Sequence, residues 1–574
     1  IALVERIAQL TGSDLAVSTD KTGAGEMGGD WVLEYSTGLI EVGVPFRPSA
    51  LIAGGLGTFV VNSVDDKKDS NLNDGEAWTG AYVDDGYGTM IKECTLRAAI
   101  EQANGISGKD TITFSIPIDQ AANPQDPDPH FVISPKSSLP TITDPVIING
   151  YSQNGADENT NPLDQGNNAV LKIVLDGSNT KKGTDGLTIE GGNSEVRGLV
   201  IQNFRSAGTC GKAVNGFGIV LGVGDSGFGG GNVVEGNFIG TSVDGLTSAP
   251  NTSGIGVASP NNKIKGNVIS GNKYNGIQIG GKRYGIVVPN VSENFVQSNY
   301  IGTTKDGDTK LGNGNGIRIA RGADSTTIGG TAPGERNVLS HNMYQGILID
   351  ADAGGSHVIE GNFVGTDKTG MLRLGNGHGG IEIHSSDNEV KGNVISANGW
   401  PGNPSGCGVL IVGMNAKNNL LENNVIGTNA AGTKKLANNF NGVEIQNASE
   451  NTVQSNLISG NGLHGVALFG AEAKFNTVSS NDIGTDNIGN KPLGNTQAGV
   501  AIFHGSENII ENNRISGNGI HGVYITGSTA NENQIVDNKI GTNKAGDDFL
   551  ANAFDGIHIK DAPYNFIGGA NLAD

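Results

Sequence analysis

Several features that are common in globular proteins are scarce in this sequence. Only 5% of its 574 residues are aromatic, and it has three cysteines, Cys94, Cys210 and Cys407. Cysteines this far apart, with no CxxC pair among them, define neither a disulfide framework nor a metal site. No apolar run reaches the roughly 18 residues that a membrane-spanning helix needs. The sequence therefore offers no evidence for a membrane span.

Basic residues are also few. Lys and Arg number 37 against 58 Asp and Glu, which gives a formal net charge of −21. Nucleic acids and anionic membranes need a basic footprint, so neither is expected as a partner. An acidic polymer is a poor ligand as well unless cations intervene. Glycine is abundant at 92 residues, roughly twice its average usage, and indicates closely spaced turns.

Internal repetition organises the chain from about residue 230 onward. An Asn-x-Ile/Leu/Val unit recurs in two alternating forms, seen in residues 237–241 (Asn-Phe-Ile-Gly-Thr) and 267–272 (Asn-Val-Ile-Ser-Gly-Asn). The first form returns after 62, 63, 62, 57 and 57 residues. The repeating unit is therefore a pair of coils.

Each coil contains short stretches in which apolar and polar residues alternate, as in 452–455, 457–459 and 465–469. This period of two is typical of half-buried strands, and Gly and Asn interrupt each run before a helix could form. Such strands bury a face only by stacking about 4.8 Å apart in parallel ladders. The sequence thus predicts an all-β fold, a right-handed parallel β-helix.

One asparagine recurs at a fixed place in every coil. Asparagine tolerates the left-handed backbone of a sharp turn, and its amide can pair with the amides above and below. We therefore predict a structural ladder made of Asn237, Asn267, Asn299, Asn337, Asn362, Asn393, Asn424, Asn456, Asn481, Asn513 and Asn538.

Coils of the first form carry an extra loop with the pattern Gly-Thr-x3-Gly-x3-Leu-x-Asn. Its copies begin at Thr303, Thr366, Thr428, Thr485 and Thr542, and a variant at Thr241 has Ala249 in place of the Leu. Stacked on alternate coils, these loops would form a regular ridge on one face. The ridge is either an assembly or binding surface or an insertion tolerated and inherited by duplication.

The segment before the solenoid contains a candidate cap. Leu96, Ala99, Ile100 and Ala103 fall at helical spacing, and Asn104-Gly105 ends the helix. Residues 94–99 (Cys-Thr-Leu-Arg-Ala-Ala) resemble the CSLREA-type motif that opens many secreted bacterial β-helix proteins. The resemblance extends over about residues 90–574 and implies a β-helix with a short N-terminal helical cap. It leaves the chemistry open, because that superfamily includes lyases, epimerases, hydrolases and inert surface proteins.

The first 45 residues resemble the end of a domain of unknown function found near the N-terminus of giant bacterial exoproteins. The similarity rests on residues 7–14 and 28–35 and implies a fragment located at the bacterial cell surface or outside the cell. We divide the chain into an extended segment (1–50), an acidic linker with the capping helix (51–110) and the β-helix (111–574). Bound Ca²⁺ is one alternative for the acidic linker, which contains Asp65, Asp66, Asp69, Asp74, Asp84 and Asp85; a solvated linker is the other.

Catalytic patterns of the fold are absent from the sequence. It has no Asp-Pro-His motif of the mannuronan epimerases, and Gly377-His378-Gly379 lacks the acidic partners of the polygalacturonases. His464 and His521 occupy matching turns whose sister positions are Asn275 and Gln345, which indicates a generic polar turn site. His384 and His504 follow strands and are expected to face solvent. The basic cluster 282–284 (Lys-Arg-Tyr) is a uronate-binding candidate or a plain surface loop. We therefore predict no catalytic, cofactor-binding or metal-binding residue.

The regular stack itself is thus the favoured function. We expect a structural or adhesive extracellular β-solenoid module of a bacterial surface or fibre protein, with surface glycans as a further partner. The alternative is a polysaccharide lyase or epimerase acting on an acidic glycan. Head-to-tail self-association or a continuing chain is expected at the open solenoid end. The candidate assembly residues are Trp31, Leu33, Tyr35, Phe566 and Ile567.

Overall fold

The protein is a solenoid of short parallel strands. The computed structural model describes residues 56–206, 215–222, 229–283, 290–401 and 406–568, together with short strands at Ala16–Val17, Tyr35–Ser36 and Ile286–Val287. Within these residues each full coil contributes one strand to each of three parallel sheets, which we call sheets I, II and III in the order the chain visits them. Over the described chain, sheet I has 16 strands, sheet II has 14 and sheet III has 13.

The strands of sheet I are Thr58–Val61, Asp110–Phe114, Val146–Asn149, Glu195–Arg197, Val233–Glu235, Lys263–Lys265, Phe295–Gln297, Thr327–Gly329, Val358–Glu360, Glu389–Lys391, Leu420–Glu422, Thr452–Gln454, Thr477–Ser479, Ile509–Glu511, Gln534–Val536 and Phe566–Ile567. The strands of sheet II are Phe131–Ile133, Ile173–Asp176, Leu199–Gln202, Phe238–Ile239, Val268–Ile269, Tyr300–Ile301, Val338–Leu339, Phe363–Val364, Val394–Ile395, Val425–Ile426, Leu457–Ile458, Asp482–Ile483, Arg514–Ile515 and Lys539–Ile540. The strands of sheet III are Leu187–Ile189, Phe217–Leu221, Ser253–Val257, Asn275–Ile279, Asn315–Ile319, Ile347–Ile349, Ile381–Ile383, Val409–Val412, Val443–Gln446, Val466–Phe469, Val500–Phe503, Val523–Thr526 and Ile557–Lys560.

Three antiparallel pairs lie outside these sheets among the described residues: Ala16–Val17 with Tyr35–Ser36, Tyr82–Asp84 with Met90–Lys92, and Lys282–Arg283 with Ile286–Val287. Five 3₁₀ turns are described: Ile118–Gln120, Gly150–Ser152, Leu163–Gln165, Gly177–Asn179 and Pro333–Glu335.

The core is a continuous column of Ile, Val and Leu side chains. In strands of sheet III such as Ile381–Ile383, the two outer residues are buried and the middle one faces outward. The inward side chains from Phe59 to Ile535 form one cluster, and most of them are fully buried. The predicted period of two thus corresponds to strands with one face in the core and one toward solvent.

An α-helix, α1 (Leu96–Ala103), lies against the first two strands of sheet I. Thr95 caps its N-terminus by accepting a hydrogen bond from the Ala98 N–H. The predicted helical cap is confirmed, and its buried side chains cover the first coils of the core. Sheet I begins earlier than the predicted boundary at residue 111, because Thr58–Val61 already pairs in parallel with Asp110–Phe114. The predicted linker therefore supplies the first described strand of sheet I.

The asparagines singled out in the sequence occupy the corner between sheets I and II. Each Nδ2 donates to the Oδ1 of the asparagine in the next coil, at 2.9–3.1 Å. The same Oδ1 accepts the backbone N–H of the preceding asparagine, as in Asn362 N–H to Asn393 Oδ1 at 2.9 Å. The amides therefore form a hydrogen-bonded column from Asn237 to Asn538.

Two further asparagine ladders lie at the other corners, and the sequence reasoning missed both. The corner between sheets II and III holds Asn251, Asn272, Asn313, Asn342, Asn376, Asn398, Asn438, Asn461, Asn495, Asn518 and Asn552. The corner between sheets III and I holds Asn232, Asn262, Asn294, Asn388, Asn419, Asn451, Asn476, Asn508, Asn533 and Asn565. Thr326 and His357 interrupt this last ladder.

The recurrent loops form a ridge beside sheet II. Each loop is closed by a single antiparallel bridge, such as Thr366 with Arg373 and Thr428 with Lys435. Successive loops are two coils apart, yet they bond directly, since the Asn487 N–H donates to the Gly432 carbonyl at 3.0 Å. Equivalent bonds of 2.9–3.1 Å join the other loops from Gly245 to Lys544. The ridge is therefore a continuous hydrogen-bonded structure.

Candidate functional site

The outer face of sheet III concentrates polar and aromatic side chains. One register position on each of the last nine described strands carries, in order along the sheet, Arg318, Leu348, Glu382, Leu410, Glu444, Ala467, Ala501, Tyr524 and His558. Stacked strands place these nine positions along roughly 38 Å of the solenoid. The face changes character along this line, from charged groups to aromatic rings.

Glu382 is the centre of the first part. Its carboxylate accepts hydrogen bonds from Gln345 Nε2 at 2.5 Å and pairs with His384 Nε2 at 2.7 Å. Burial alone would raise the pKa of Glu382, but the bonds from His384 and Gln345 outweigh it and lower the pKa. His384 was expected to face solvent; instead its ring is held against this carboxylate, with 30% of the side chain exposed.

A second carboxylate lies two strands further along, at Glu444. Asn441 Nδ2 donates to it at 2.8 Å, and the Cys407 thiol lies 3.4 Å from the same oxygen. Burial, and then the negative charge of Glu444, raise the pKa of the Cys407 thiol well above its usual range. Cys407 is therefore a protonated donor and not a reactive thiolate. Cys94 is free and buried too, and burial raises its pKa to about 12; Cys210 lies outside the described residues.

Aromatic rings follow on the next four strands and form what we call the aromatic row: His464, Phe469, Phe503, His521, Tyr524, Phe554 and His558. Phe503 contacts His464, Phe469 and Tyr524 with ring centroids 5.6–5.8 Å apart. Tyr524 in turn contacts His521 at 5.7 Å and His558 at 5.6 Å. These separations are those of stabilising ring pairs. The row is part-exposed, as Phe469 at 44% illustrates.

The matching histidines His464 and His521 both lie in this row but differ in environment. His464 is mostly buried, and burial lowers its pKa to about 4. Its Nδ1 accepts the Ala498 N–H at 3.2 Å. Burial also lowers the pKa of His521, followed by repulsion from His558. His504 is exposed, as expected, and belongs neither to the side chains around Glu382 nor to the aromatic row.

The strands of sheet III carried a signal that the sequence reasoning did not use. Glu382 and Glu444 stand between two buried aliphatic residues in Ile-Glu-Ile and Val-Glu-Ile. A carboxylate at the outward position of a short strand, on the same register line twice, is a recognisable pattern once coils are aligned. The aromatic row could be predicted only from the register between coils. Insertions of different length conceal this register in the sequence.

Among the assembly candidates, only the side chains of Phe566 and Ile567 belong to the part of the chain that the structure describes. Phe566 and Ile567 form the last described strand of sheet I and are 58% and 54% exposed. Tyr35 lies in the strand Tyr35–Ser36, which pairs antiparallel with Ala16–Val17 of the same chain. Trp31 and Leu33 lie outside the described residues, as does Tyr284 of the basic cluster.

The acidic linker uses its carboxylates locally. Asp66 forms a buried ion pair with Arg97 at 2.8 Å, and Asp65 pairs with Lys67 at 3.0 Å. The carboxylates of Asp69, Asp74, Asp84 and Asp85 accept backbone N–H groups two to four residues further on. In the described part of the chain these residues do not form a group of three metal ligands. Ca²⁺ binding there stays a prediction.

Comparison with known proteins supports this architecture. The family model described as a right-handed beta helix region matches residues 334–491 and 434–567. The chain is a right-handed parallel β-helix. Residues 1–53 match the model of a domain of unknown function, DUF4347. No curated protein matches the chain in sequence.

Several solved structures resemble this β-helix at low sequence identity. The A-module of the Azotobacter vinelandii mannuronan C-5 epimerase AlgE6 is 13% identical, with a TM-score of 0.34, covering 83% of this chain and 95% of that one. The Dettilon tailspike protein is 14% identical, with a TM-score of 0.38 and coverage of 87% and 68%. DFA-IIIase from Arthrobacter chlorophenolicus A6 is 13% identical, with a TM-score of 0.31 and coverage of 63% and 86%. Identities this low carry no information about activity. No helix among the described residues is long and apolar enough to cross a membrane.

Proposed function

We propose that this chain is a structural and adhesive module of a bacterial extracellular surface or fibre protein, and that the outer face of sheet III binds a neutral glycan. The observation that carries the proposal is the aromatic row, which runs beside hydrogen-bonding carboxylates and amides on one open face. Sugar rings present C–H groups to the electron-rich faces of aromatic rings and hydroxyls to polar side chains. An open face along the solenoid axis suits an extended polymer.

Charge favours a neutral ligand over a uronate or a sulfated chain. Glu382, Glu444 and Asp555 lie on or beside this face, while the Arg318 guanidinium is already paired with Asp350 at 2.8 Å. The whole chain carries a formal charge of −21. An acidic polymer would approach against this field.

A glycan array followed by calorimetry with the best neutral oligosaccharide tests the proposal. Phe503→Ala and Tyr524→Ala remove the central rings of the row, and we expect each to weaken binding about tenfold, which corresponds to about 1.4 kcal/mol. Phe549→Ala is the matched control, because Phe549 is 91% exposed on the loop ridge, away from sheet III. Equal effects of all three substitutions, or no binding to any neutral glycan, would overturn the proposal.

A polysaccharide lyase or epimerase is the second candidate, and the Glu382–His384 pair is the observation in its favour. An imidazole held by a carboxylate at 2.7 Å is a plausible proton acceptor. Such an enzyme also needs a cation to neutralise the carboxylate of its substrate. Arg318, the described Lys or Arg residue on this line, lies two strands away from Glu382. Ultraviolet absorbance of uronic-acid polymers incubated with the protein tests elimination, since it leaves an unsaturated sugar. An increase in absorbance that is lost in His384→Ala would support elimination by this protein and overturn the adhesive proposal.

Self-association belongs to the same proposal. Phe566 and Ile567 are exposed apolar residues in a strand with an unpaired outer edge in the described chain. Unpaired strand edges are templates for pairing with a further strand. We propose that this edge accepts another coil, supplied by the continuing chain or by a second copy.

A further inference from the structure

His521, Asp555 and His558 form a compact group at the end of the aromatic row. One nitrogen from each imidazole and one carboxylate oxygen all lie within 4.8 Å of one another. Asp555 Oδ2 is 3.3 Å from His521 Nδ1 and 2.7 Å from His558 Nδ1. The two imidazoles stack on each other with ring centroids 4.6 Å apart.

We propose that these three side chains bind a divalent transition-metal ion of the zinc type. Imidazole nitrogen and carboxylate oxygen are the donors that such ions prefer, whereas Ca²⁺ and Mg²⁺ take oxygen ligands. Bonds of 2.0–2.1 Å in a tetrahedral sphere put neighbouring donor atoms about 3.3 Å apart. The separation of Asp555 Oδ2 from His521 Nδ1 already has this value, whereas that from His558 Nδ1, at 2.7 Å, has to lengthen by about 0.6 Å. The ion also replaces the Asp555 N–H, which donates to His521 Nδ1 at 3.3 Å in its absence.

The ligands come from two neighbouring coils. His521 lies two residues before the strand Val523–Thr526, and Asp555 holds the same place before Ile557–Lys560. His558 pairs in register with Tyr524 of the previous strand. A bound ion therefore joins the last described coil of sheet III to the one before it.

Three protein ligands leave at least one position of a four-coordinate ion open. The side chains are 16%, 55% and 38% exposed for His521, Asp555 and His558, so water reaches the site. Tyr524 and Phe554 flank it, with ring centroids 5.7 and 6.1 Å from His521. The open position accepts water or an oxygen ligand next to the aromatic row.

The internal repeat supplies a natural comparison. His464 occupies the turn position that corresponds to His521, but the residues that correspond to Asp555 and His558 are Ala498 and Ala501. The same turn histidine is thus present without the other two ligands. The proposed site depends on all three side chains and not on the turn histidine alone.

Calorimetric titration with ZnCl₂ tests the inference, and titration with CoCl₂ gives visible absorption bands that report imidazole ligation. We expect one ion bound per chain by the intact protein, at least tenfold weaker binding in His521→Ala, His558→Ala and Asp555→Ala, and unchanged binding in His464→Ala. Zinc should also raise the Tm of the intact protein and leave that of His558→Ala unchanged.

Undiminished zinc affinity in His558→Ala, or no zinc binding by the intact protein, would overturn the inference. Phe503→Ala separates it from the proposed glycan binding, because that variant should lose the glycan and keep the metal. Metal binding that survives in all three ligand variants identifies ions held elsewhere on the surface, which also contradicts the proposed site.

Discussion

An asparagine amide suits a coil corner because it both donates and accepts. Asn393 Oδ1 accepts from the N–H and the Nδ2 of Asn362, while its own Nδ2 donates to Asn424 Oδ1 and to two backbone carbonyls. Aspartate lacks the donors, and serine or threonine offers one hydroxyl in place of an amide. Because a buried polar group without a partner costs about 1–3 kcal/mol, the corner selects asparagine strongly.

His357 is the residue that breaks this rule. It is fully buried at the corner between sheets III and I, where its Nδ1 accepts the Thr326 N–H at 3.1 Å. Its Nε2 has no hydrogen-bond partner, and neither has the Thr326 hydroxyl. Burial lowers the pKa of His357 to about 4. The ladder therefore contains two successive coils, each with one unsatisfied polar group at this corner.

We predict that His357→Asn stabilises the protein by about 1–3 kcal/mol at neutral pH, because an amide can bond both to Thr326 and to Asn388. Urea unfolding of the two proteins measures the difference. Asn415→Ala, at an exposed position, is the control and should change stability little. A less stable His357→Asn would show that the imidazole packs better than an amide does here.

The same substitution should change the response to acid. The pKa of His357 is lowered from 6.5 to about 4 in the folded protein, so its contribution to stability is complete above pH 6.5. Between pH 6.5 and 4 only the unfolded chain takes up the proton, and stability falls as the pH falls, by up to about 3 kcal/mol. His357→Asn should lose less stability than the natural protein between pH 7 and 4.5. Equal losses of stability in the two proteins would show that His357 does not cause this pH dependence.

The loops of the ridge are stabilised both by contacts between stacked loops and by the backbone conformation of each turn. Two glycines allow these contributions to stability to be compared. Gly432 and Gly546 hold the same place in two loops, with φ of 66° and 83°. A Cβ at Gly432 would lie 2.6 Å from Asn487 Cβ and 2.7 Å from Leu457 Cδ2, whereas one at Gly546 meets nothing within 4 Å. The two glycines therefore have similar backbone conformations but different surroundings, because only Gly432 is covered by the next loop.

We predict that Gly546→Ala costs about 1–2 kcal/mol, the price of a left-handed residue with a side chain. Gly432→Ala should cost about 2–5 kcal/mol, because the clash with the stacked loop adds to the backbone term. Thermal or urea unfolding of both variants gives the comparison. Similar losses at the two positions would mean that the loops yield easily and that the ridge contributes little rigidity.

The proposed self-association concerns the whole molecule and rests on the exposed last described strand of sheet I, Phe566–Ile567. We expect the sedimentation coefficient to rise with concentration, and Phe566→Glu with Ile567→Glu to suppress the rise, because charges on a strand edge block pairing. Phe549→Glu changes an even more exposed aromatic residue on the ridge and should leave association unchanged. A natural protein that sediments as a monomer at every concentration would contradict the prediction.

Much of the fold could be predicted from the sequence because its repeat is local. Asn-x-Ile units, alternating apolar residues and the helix at Leu96–Ala103 are each readable within one coil. The two other asparagine ladders were harder to find, since insertions vary the spacing of their residues, as from Asn376 to Asn398 and from Asn398 to Asn438.

The candidate site was less predictable than the fold. Glu382, Glu444 and the rings of the aromatic row lie on or beside strands that begin 23 to 34 residues after one another, so their proximity depends on the register between coils. His521 and His464 look equivalent in their own turns, and only the neighbouring coil distinguishes them. Contacts that pass between coils are the part that a single sequence conceals.

The hydrogen-bonded ridge gives the solenoid a unit of length. Its loops bond to each other across two coils, so a deletion or duplication of one coil would leave a loop without its partner, whereas a change of two coils preserves every bond. Each permitted step is about 9–10 Å along the axis. A change in length that keeps every ridge bond therefore adds or removes about 9–10 Å of solenoid at a time.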